Sequence, residues 1–547
     1  MYRDQLNELH KQIHDKNTKF IVVTGGVLSG LGKGVALASV GLLVDDTLKK
    51  FPIKCDGYLN FDPGTMNPIE HGEVFVLDDG TEVDMDFGHY ERFLNISCHK
   101  DENITMGRIY KEIIDLERKG EFLGKTVKLI PEVSDYIEYK ILKTTIDNNA
   151  DIVLLEIGGT IGDIENELFI YAIKNIIQKQ DGNIINIHIT YIPELYKSEE
   201  QKTKPAQNAL EELFRRGIKP DIIICRTHRY LNKQAKEKLS IVSQLDENHI
   251  ISGIDTDNIY EIPIIFKQQN LDKIVCEKLN IQPNKNIQKY IDKINKINEL
   301  NKNTGKLKIG ICGKYTTLKD SYVSITEALA HASAVCNCPI DIEYIDAAQI
   351  TSDQLKELNG IIVPGGYGSR GVDGKINAIK YARENKIPFL GLCYGLQLAI
   401  VEYARNVCGL KDANTTEIDP NTPYPVIDIL PNQKQKELGG TMRLGAYDII
   451  LKDGTKIMQI YNSQKISERH RHRYEVNPKY HSLLEKNGLI ISGTSPDGAL
   501  VEFIELKDHP FFIATQSHPE LKSKLLYPHP LFIEFLTQIK SNFSSSK

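Results

Sequence analysis

Short runs of branched apolar residues, each stopping at glycine or at a polar turn, recur along this 547-residue chain. Phe20–Thr24 stops at Gly25-Gly26, and Asp151–Ile157, Ile184–Thr190 and Asp221–Cys225 repeat the pattern. Leu307–Cys312, Gly360–Pro364, Pro388–Cys393 and Phe511–Thr515 repeat it again. Amphipathic stretches such as Arg108–Lys119 and Lys202–Arg216 lie between the runs. An unbroken apolar run of this length is a strand buried on both faces. Such strands alternating with helices predict parallel α/β sheets. Composition shifts near Ile281, where isoleucines recur at helical spacing among Lys and Asn between Pro283 and Gly305. The expected plan is a helical extension over 1–19, a domain over 20–280 and a linker helix over 281–305. A second domain over 306–540 and a frayed tail over 541–547 complete it. Both large domains are expected to be doubly wound parallel-sheet α/β units.

Sixty-seven Lys and Arg against 73 Asp and Glu leave a formal net charge of -6. That excludes a protein held on nucleic acid by bulk electrostatics. Nine irregularly spaced cysteines form neither a disulfide framework nor a paired CxxC zinc pattern, which fits a reducing compartment. No apolar run approaches the roughly 18 residues of a membrane span, and the polar, acid-bearing Met1–Lys19 does not read as a signal peptide. The expectation is a cytoplasmic protein with no nucleic-acid or membrane partner.

Gly25-Gly26-Val27-Leu28-Ser29-Gly30-Leu31-Gly32-Lys33-Gly34 follows the first run and precedes a helical pattern. Glycines let backbone amides close on an anion, and Lys33 adds a point charge. The strict phosphate-loop pattern is not met, because Val27 stands in place of its first glycine and Gly34 in place of Ser/Thr. Carboxylates close neighbouring runs. Lys54-Cys55-Asp56 ends a short strand, Asp84 and Asp86 stand at strand spacing on one face, and Glu156 runs into Gly158-Gly159. Acids at strand ends near such a loop suit Mg2+ bridging nucleotide phosphates, and equally suit solvated strand ends. Lys202 and Lys204 before a helix suit a triphosphate clamp or a solvated helix start; Asp163 and Glu165 are open in the same way.

Gly391-Leu392-Cys393-Tyr394-Gly395 is the thiol form of a nucleophile elbow, a sharp strand-to-helix turn that exposes the sulfur. The helix N-terminus behind it favours a thiolate. His518 and Glu520, well downstream, supply a general base and its orienting acid. Pro364-Gly365-Gly366-Tyr367-Gly368 supplies backbone amides for an oxyanion hole. One cysteine alone reads as structural; the elbow, the His-x-Glu pair and the glycine turn together read as catalytic.

On these motifs, residues 365–520 resemble class I, triad-type glutamine amidotransferases. From about Phe20 to Gln538 the chain resembles the CTP synthases. GGVLSGLGKG, DPGTMNPIEHGEVFVLDDGTEVDMDFGHYERF, EIGGTIGDIE, QKTKP, GGTMRLG and ERHRHRYEVNP carry the likeness. The resemblance implies a P-loop-like synthetase domain followed by a flavodoxin-like amidotransferase domain. It implies that ATP phosphorylates O4 of UTP, that glutamine is hydrolysed through a Cys393 thioester, and that ammonia displaces phosphate at C4 to give CTP.

Position by position, it implies the following roles. Cys393, His518 and Glu520 are the triad. Gly30, Leu31, Gly32, Lys33, Gly34 and Val35 hold ATP phosphates, Ile254, Asp255 and Thr256 contact adenine, and Lys54 assists phosphoryl transfer. Asp86 and Glu156 hold Mg2+, with Asp86 also serving ATP. Ser29 contacts UTP or CTP; Lys202, Thr203, Lys204, Pro205, Ala206, Gln207 and Lys238 hold the UTP triphosphate. Asp163, Ile164 and Glu165 contact the feedback inhibitor CTP. Gly366, Tyr394, Gly395, Leu396, Gln397, Glu417 and Arg473 bind glutamine. Arg370 senses the activator GTP, and His71 gates the ammonia path. A homotetramer, and filaments built from it, are the implied assemblies. Lys128 and Glu132 stand where the family has Gln and His, Gly57 where it has Pro, Tyr394 where it has Leu, and Ser517 also departs from its usual wording. Another ATP-dependent amidotransferase-ligase, such as a cobyrinate-type amidase, would lack the QKTKP and HGEVFVLDDG segments. A non-catalytic filament-forming homologue would be expected to have lost Lys33, Asp86 or Cys393.

Overall fold

The computed structural model describes residues 2–67, 72–194, 200–303, 305–314, 319–429 and 441–545. They form two compact units, Met1–Asp62 with His89–Ile291, and Pro63–Gly88 with Asp292–Lys547.

The first unit is built on a seven-stranded sheet. Its strand order is Asn103–Thr105, Lys50–Asp56, Ile152–Ile157, Lys19–Gly25, Ile184–Tyr191, Ile222–Thr227, Ile250–Ile254. Every neighbouring pair is parallel. The central strands Lys19–Gly25 and Ile152–Ile157 are buried along their whole length, as unbroken apolar runs require. Their carboxyl ends carry Gly25 and Glu156, so the glycine loop and the acid emerge at the same end of the sheet. The amino-terminal helix Arg3–Lys16 is part of this core rather than an extension before it. Leu6, Leu9 and Ile13 are buried, and His10 Nε2 meets Glu138 Oε1 at 2.6 Å. Each buried aliphatic side chain contributes up to about 1.5–3 kcal/mol.

The second unit carries a nine-stranded sheet. Ile340–Asp346, Leu307–Gly313, Gly360–Val363, Phe389–Leu392 and Phe512–Thr515 form a parallel part. Val501–Leu506, Leu489–Thr494, Arg443–Leu451 and Lys465–His472 continue it antiparallel. The apolar-run criterion finds four of these parallel strands but misses Ile340–Asp346, whose sequence alternates. Asn103–Thr105 and Ile250–Ile254 in the first sheet and the four antiparallel strands here also escape it. The segment 63–88, expected with the first domain, packs in the second. Its hairpin Phe75–Val76 and Glu82–Val83 lies against Arg443–Leu451, where the Ala446 N–H donates to Asp78 O at 2.9 Å. Asp78 and Glu82 pair with Arg469 and Arg471, both at 2.7 Å.

Asp84 and Asp86 are not on one strand face. Asp86 opens the helix Asp86–Leu94, and Asp84 Oδ1 accepts the Asp86 N–H at 3.1 Å, the work of an acid before a helix. Helix Ile287–Asn301 occupies the isoleucine-rich stretch, with Ile287, Ile294 and Ile297 buried.

Candidate functional site

The strand Phe389–Leu392 runs into Cys393 at φ 49°, ψ −99°, and helix Tyr394–Asn406 starts at the next residue. Left-handed backbone at a non-glycine residue is strained, and it persists only when its surroundings impose it. Here the Cys393 N–H donates to Thr515 O at 2.7 Å, and Cys393 O accepts the Leu396 N–H at 3.0 Å. A Cβ on Gly395 would stand 2.1 Å from Val363 O, so only glycine lets this helix approach the sheet. The tight turn leaves the amide of Tyr394, the first residue of the helix, outside the intrahelical ladder.

Cys393 is 4% exposed, and Gln516 Nε2 donates towards its Sγ at 3.7 Å. His518 Nδ1 lies 2.6 Å from Glu520 Oε1, which leaves Nε2 for proton transfer. Burial opposes a charge on His518, but the Glu520 carboxylate and the Cys393 sulfur outweigh it and raise its pKa well above the usual histidine value. The ring stands against Gly365, where a Cβ would come within 2.8 Å of Cε1. Cys393, His518, Glu520 and the Gly365-Gly366 turn thus meet in one unit.

These groups line a cavity of about 530 Å³ that also includes Gly366, Glu417 and Arg473, and Thr65 and Glu73 from the 63–88 segment. Glu417 Oε1 accepts the Gly368 N–H at 2.8 Å; burial raises its pKa, against that hydrogen bond and two lysines, Lys314 and Lys375. Tyr394 OH donates to Gly368 O at 2.9 Å, so both sides of Gly368 are held. Gln397 Nε2 donates to Tyr474 O at 3.0 Å, and Arg473 Nη2 to Thr441 Oγ1 at 2.8 Å. Arg370 Nη2 donates to Lys314 O at 2.7 Å.

The ERHRHR segment sorts by strand alternation. Glu468, His470 and His472 are buried, with Glu468 on His529 at 2.9 Å and His470 on Glu502 at 2.7 Å. Arg469 and Arg471 reach the 63–88 hairpin from the other face. Sequence reasoning missed Gln516, Lys314 and Lys375; a buried lysine carries no signal until the fold shows its burial.

In the first unit, the loop after Lys19–Gly25 carries Val27 at φ 81°, Gly30 at φ 77° and Gly32 at φ 79°. Val27 therefore adopts a glycine's conformation at the position where the strict pattern places glycine. Ser29 and Gly30 are exposed, and Lys33 opens the helix Lys33–Leu43 with its Nζ donating to Gly159 O at 2.6 Å. Beneath the loop, Thr24 Oγ1 lies 3.0 Å from His188 Nδ1. Burial, and then Lys33, push the His188 pKa down to about 3, so this ring is neutral.

Lys54 is buried with its Nζ 3.9 Å from Asp56 Oδ1, and Glu156 accepts from Tyr90 OH. Gly57 is explained by space, since a Cβ would stand 2.4 Å from Asn166 Oδ1. Asp163 Oδ2 accepts the Thr160 N–H at 2.8 Å, while Ile164 is 85% exposed. Lys202 pairs with Glu200 at 2.6 Å, Lys204 opens the helix Lys204–Arg215, and Lys238 is exposed on Lys233–Ser243. Lys128 and Glu132 meet each other, the Lys128 N–H donating to Glu132 Oε2 at 3.2 Å. Leu31, Gly32, Val35, Ile254 and Thr256 line a small apolar cavity that also takes in Phe266 and Arg226. Sequence reasoning missed Arg226, which bonds Asp255 Oδ1 at 2.6 Å and Leu31 O at 3.4 Å. His71 lies outside the described residues.

A family model described as CTP synthase N-terminus matches residues 19–281, and one described as Glutamine amidotransferase class-I matches residues 317–538. The CTP synthase of Sulfolobus acidocaldarius is 50% identical over 527 residues, 95% of this chain and 99% of its own length. That of Carboxydothermus hydrogenoformans is 49% identical over 539 residues, 96% of this chain and 99% of its own. Among solved structures, the glutaminase domain of Trypanosoma brucei CTPS with bound acivicin is 36% identical, covers 43% of this chain and 94% of its own, and has a TM-score of 0.41.

Proposed function

Because this chain belongs to the CTP synthase family, we propose that its two units divide that family's reaction between the residues described above. The reaction is the ATP-dependent amination of UTP at C4 to CTP, with ammonia taken from glutamine. One observation carries the reading: the likeness to curated CTP synthases spans both units together, over 95% of the chain.

In the second unit, Glu417 pairs with the glutamine ammonium and Arg473 with its carboxylate. The Cys393 sulfur attacks the side-chain carbonyl, and amides of the Gly366 turn and of Tyr394 receive the oxyanion. His518, which the Glu520 carboxylate helps to keep protonated, gives its proton to the leaving ammonia. Water then releases glutamate from the thioester. Gly395, Leu396 and Gln397 shape the wall of the site. Ammonium is not a nucleophile, so ammonia must reach C4 without equilibrating with bulk water.

In the first unit, the loop 30–35 holds the ATP phosphates and exchanges Gly159 O for phosphate on Lys33. Lys54 assists phosphoryl transfer, the cavity beside Ile254, Asp255 and Thr256 takes adenine, and Arg226 borders it. Lys202–Gln207 and Lys238 hold the UTP triphosphate, with Ser29 on the nucleotide; Lys202 leaves Glu200 to do so. Asp163–Glu165 contact CTP as inhibitor, and Arg370 responds to GTP. Glu156, a hard oxygen donor two residues before the Gly158-Gly159 turn that Lys33 reaches, fits Mg2+, which binds through one or two carboxylates plus phosphate oxygens. Asp86, the other carboxylate the resemblance implies for Mg2+, belongs with its segment 63–88 to the second unit. Bound Mg2+ supplies charge neutralisation on the phosphates. No described helix is long and apolar enough to cross a membrane, and a homotetramer is the proposed working form.

The test is CTP formation from UTP, ATP and glutamine, followed by ultraviolet absorbance. Cys393→Ala should abolish glutamine-dependent synthesis and retain synthesis from added ammonia. No CTP from either nitrogen source in the unmodified chain would overturn the reading, and equal loss of both in the variant would overturn the division between the units.

A further inference from the structure

Lys375 occupies the fourth position of helix Val372–Asn385 and is 1% exposed. Two terms oppose a lysine there. The helix N-terminus is itself positive, and burial disfavours the ammonium. Lysines this buried are rare unless their charge has a counterpart.

Lys375 Nζ stands 5.0 Å from the centre of the Tyr394 ring and 3.5 Å from where a Cβ on Gly366 would be. It therefore lies directly behind the turn that faces Cys393. Lys314, 9% exposed, is a second ammonium behind the same turn and donates to Tyr367 O at 2.5 Å. The groups acting on Lys375 are Lys314 and Cys312 from the Leu307–Gly313 strand and its end, Glu417, and Cys393. Two ammonium groups thus face one carboxylate, and Glu417 already spends one oxygen on the Gly368 N–H. Among the described residues Lys375 forms no ion pair or hydrogen bond with a carboxylate, so its charge is available to an anion formed at the turn.

Glutamine hydrolysis produces that anion. As the Sγ–C bond forms, the carbonyl π pair moves to oxygen. As it returns, the C–N bond breaks, and nitrogen leaves as ammonia with the proton from His518. Water then converts the thioester to glutamate and returns the sulfur. We propose that Lys375 is a positioning residue for this step, its ammonium stabilising the oxyanion through the Gly366 and Tyr394 peptides without touching glutamine. The inference rests on the reading of Cys393 as the glutaminase nucleophile.

Burial first, and Lys314 second, push the Lys375 pKa down to about 8, against Cys312, Glu417 and Cys393. Its charge is present at neutral pH and is lost as pH rises through about 8. His518, held well above its usual value, is the other titrating group in the wall.

The experiment measures glutamate release across pH for the full chain and for Lys375→Met, which keeps length and removes charge. The expected result is a kcat about tenfold or more lower in the variant, a KM for glutamine changed by less than about threefold, and loss of the alkaline limb near pH 8. A kcat within about twofold, a rise confined to KM, or a limb that persists in the variant overturns the proposal. Should Lys375→Met fail to unfold cooperatively, Lys375→Gln is measured in its place, and an unmodified chain whose kcat has no alkaline limb near pH 8 also overturns it. Absence of glutamate release from the unmodified chain would instead overturn the glutaminase reading itself.

Discussion

The Cys393 elbow and the Val27–Gly34 loop are both strand-to-helix turns, and each holds a non-glycine residue at positive φ, 49° at Cys393 and 81° at Val27. They differ in what holds them. Cys393 is 4% exposed, tied to Thr515 O, and accompanied by the proposed base and acid, His518 and Glu520, already joined at 2.6 Å. Val27 is 41% exposed, and the loop's lysine rests on the backbone oxygen of Gly159. Lys202, the other cation proposed for phosphate, likewise rests on Glu200. Nucleophilic catalysis needs its groups aligned before substrate arrives. A phosphate site instead keeps its cations on exchangeable partners until the ligand supplies charge.

The sharpest way to break this contrast is to disorder the preformed side. Glu520→Gln keeps the shape and removes the charge that holds His518 protonated. Glutamine-dependent CTP synthesis should fall on the order of 10³–10⁴-fold, by analogy with orienting acids of other triads. The sign for pH follows from the raised pKa: the imidazolium is present below it and lost as pH rises through it. Removing the carboxylate lowers that pKa, so the alkaline limb due to His518 should move to lower pH. A rate within tenfold of the unmodified chain, or a limb shifted upwards, would show that Glu520 does not orient the base.

On the exchangeable side, Lys33→Ala should reduce CTP synthesis about 10²–10³-fold with glutamine and with ammonia alike, because ATP phosphates lose their point charge. Glutamate release should survive, since no step of it uses Lys33. Ammonia-dependent synthesis retained in Lys33→Ala would show that this loop is not the phosphate site.

The same contrast explains what the sequence discloses. A nucleophile elbow is local: strand, cysteine, glycine and helix are contiguous, and Gly395 is required by one carbonyl, Val363 O. His518 and Glu520 are two residues apart, so the pair is legible without the fold. Asn103–Thr105, Ile250–Ile254 and Ile340–Asp346 are too short, glycine-bearing or polar to read as unbroken apolar runs, but most of the parallel strands are legible because burial on both faces leaves such a run. The antiparallel strands Arg443–Leu451 and Lys465–His472 are not, because alternation there serves two different polar surroundings. Burial of Lys375 and the placement of Arg226 depend on elements distant in sequence, and no local pattern encodes them. Asp84 and Asp86 were read by strand spacing, yet an acid two residues ahead of a helix has a local use of its own, and that use won. The hairpin 75–83 lies with the second unit because Asp78 and Glu82 find Arg469 and Arg471, nearly 400 positions away.

The smallest expected effect probes the strain itself. A β-branched residue at φ 81° costs about 1–3 kcal/mol, and glycine there would relieve it while adding about 0.5–1 kcal/mol of unfolded-state entropy. Val27→Gly should therefore stabilise the first unit by about 1 kcal/mol, a rise of roughly 2–4 °C in its thermal midpoint. The gain in freedom should also loosen the loop before ATP binds, so KM for ATP should rise modestly while kcat with ammonia holds. At Cys393 buried surroundings impose the strained turn; Val27, 41% exposed, carries its strain with less packing around it. A midpoint that falls in Val27→Gly would show that the Val27 side chain contributes packing worth more than the strain, and the loop would then belong with the elbow as a preformed site.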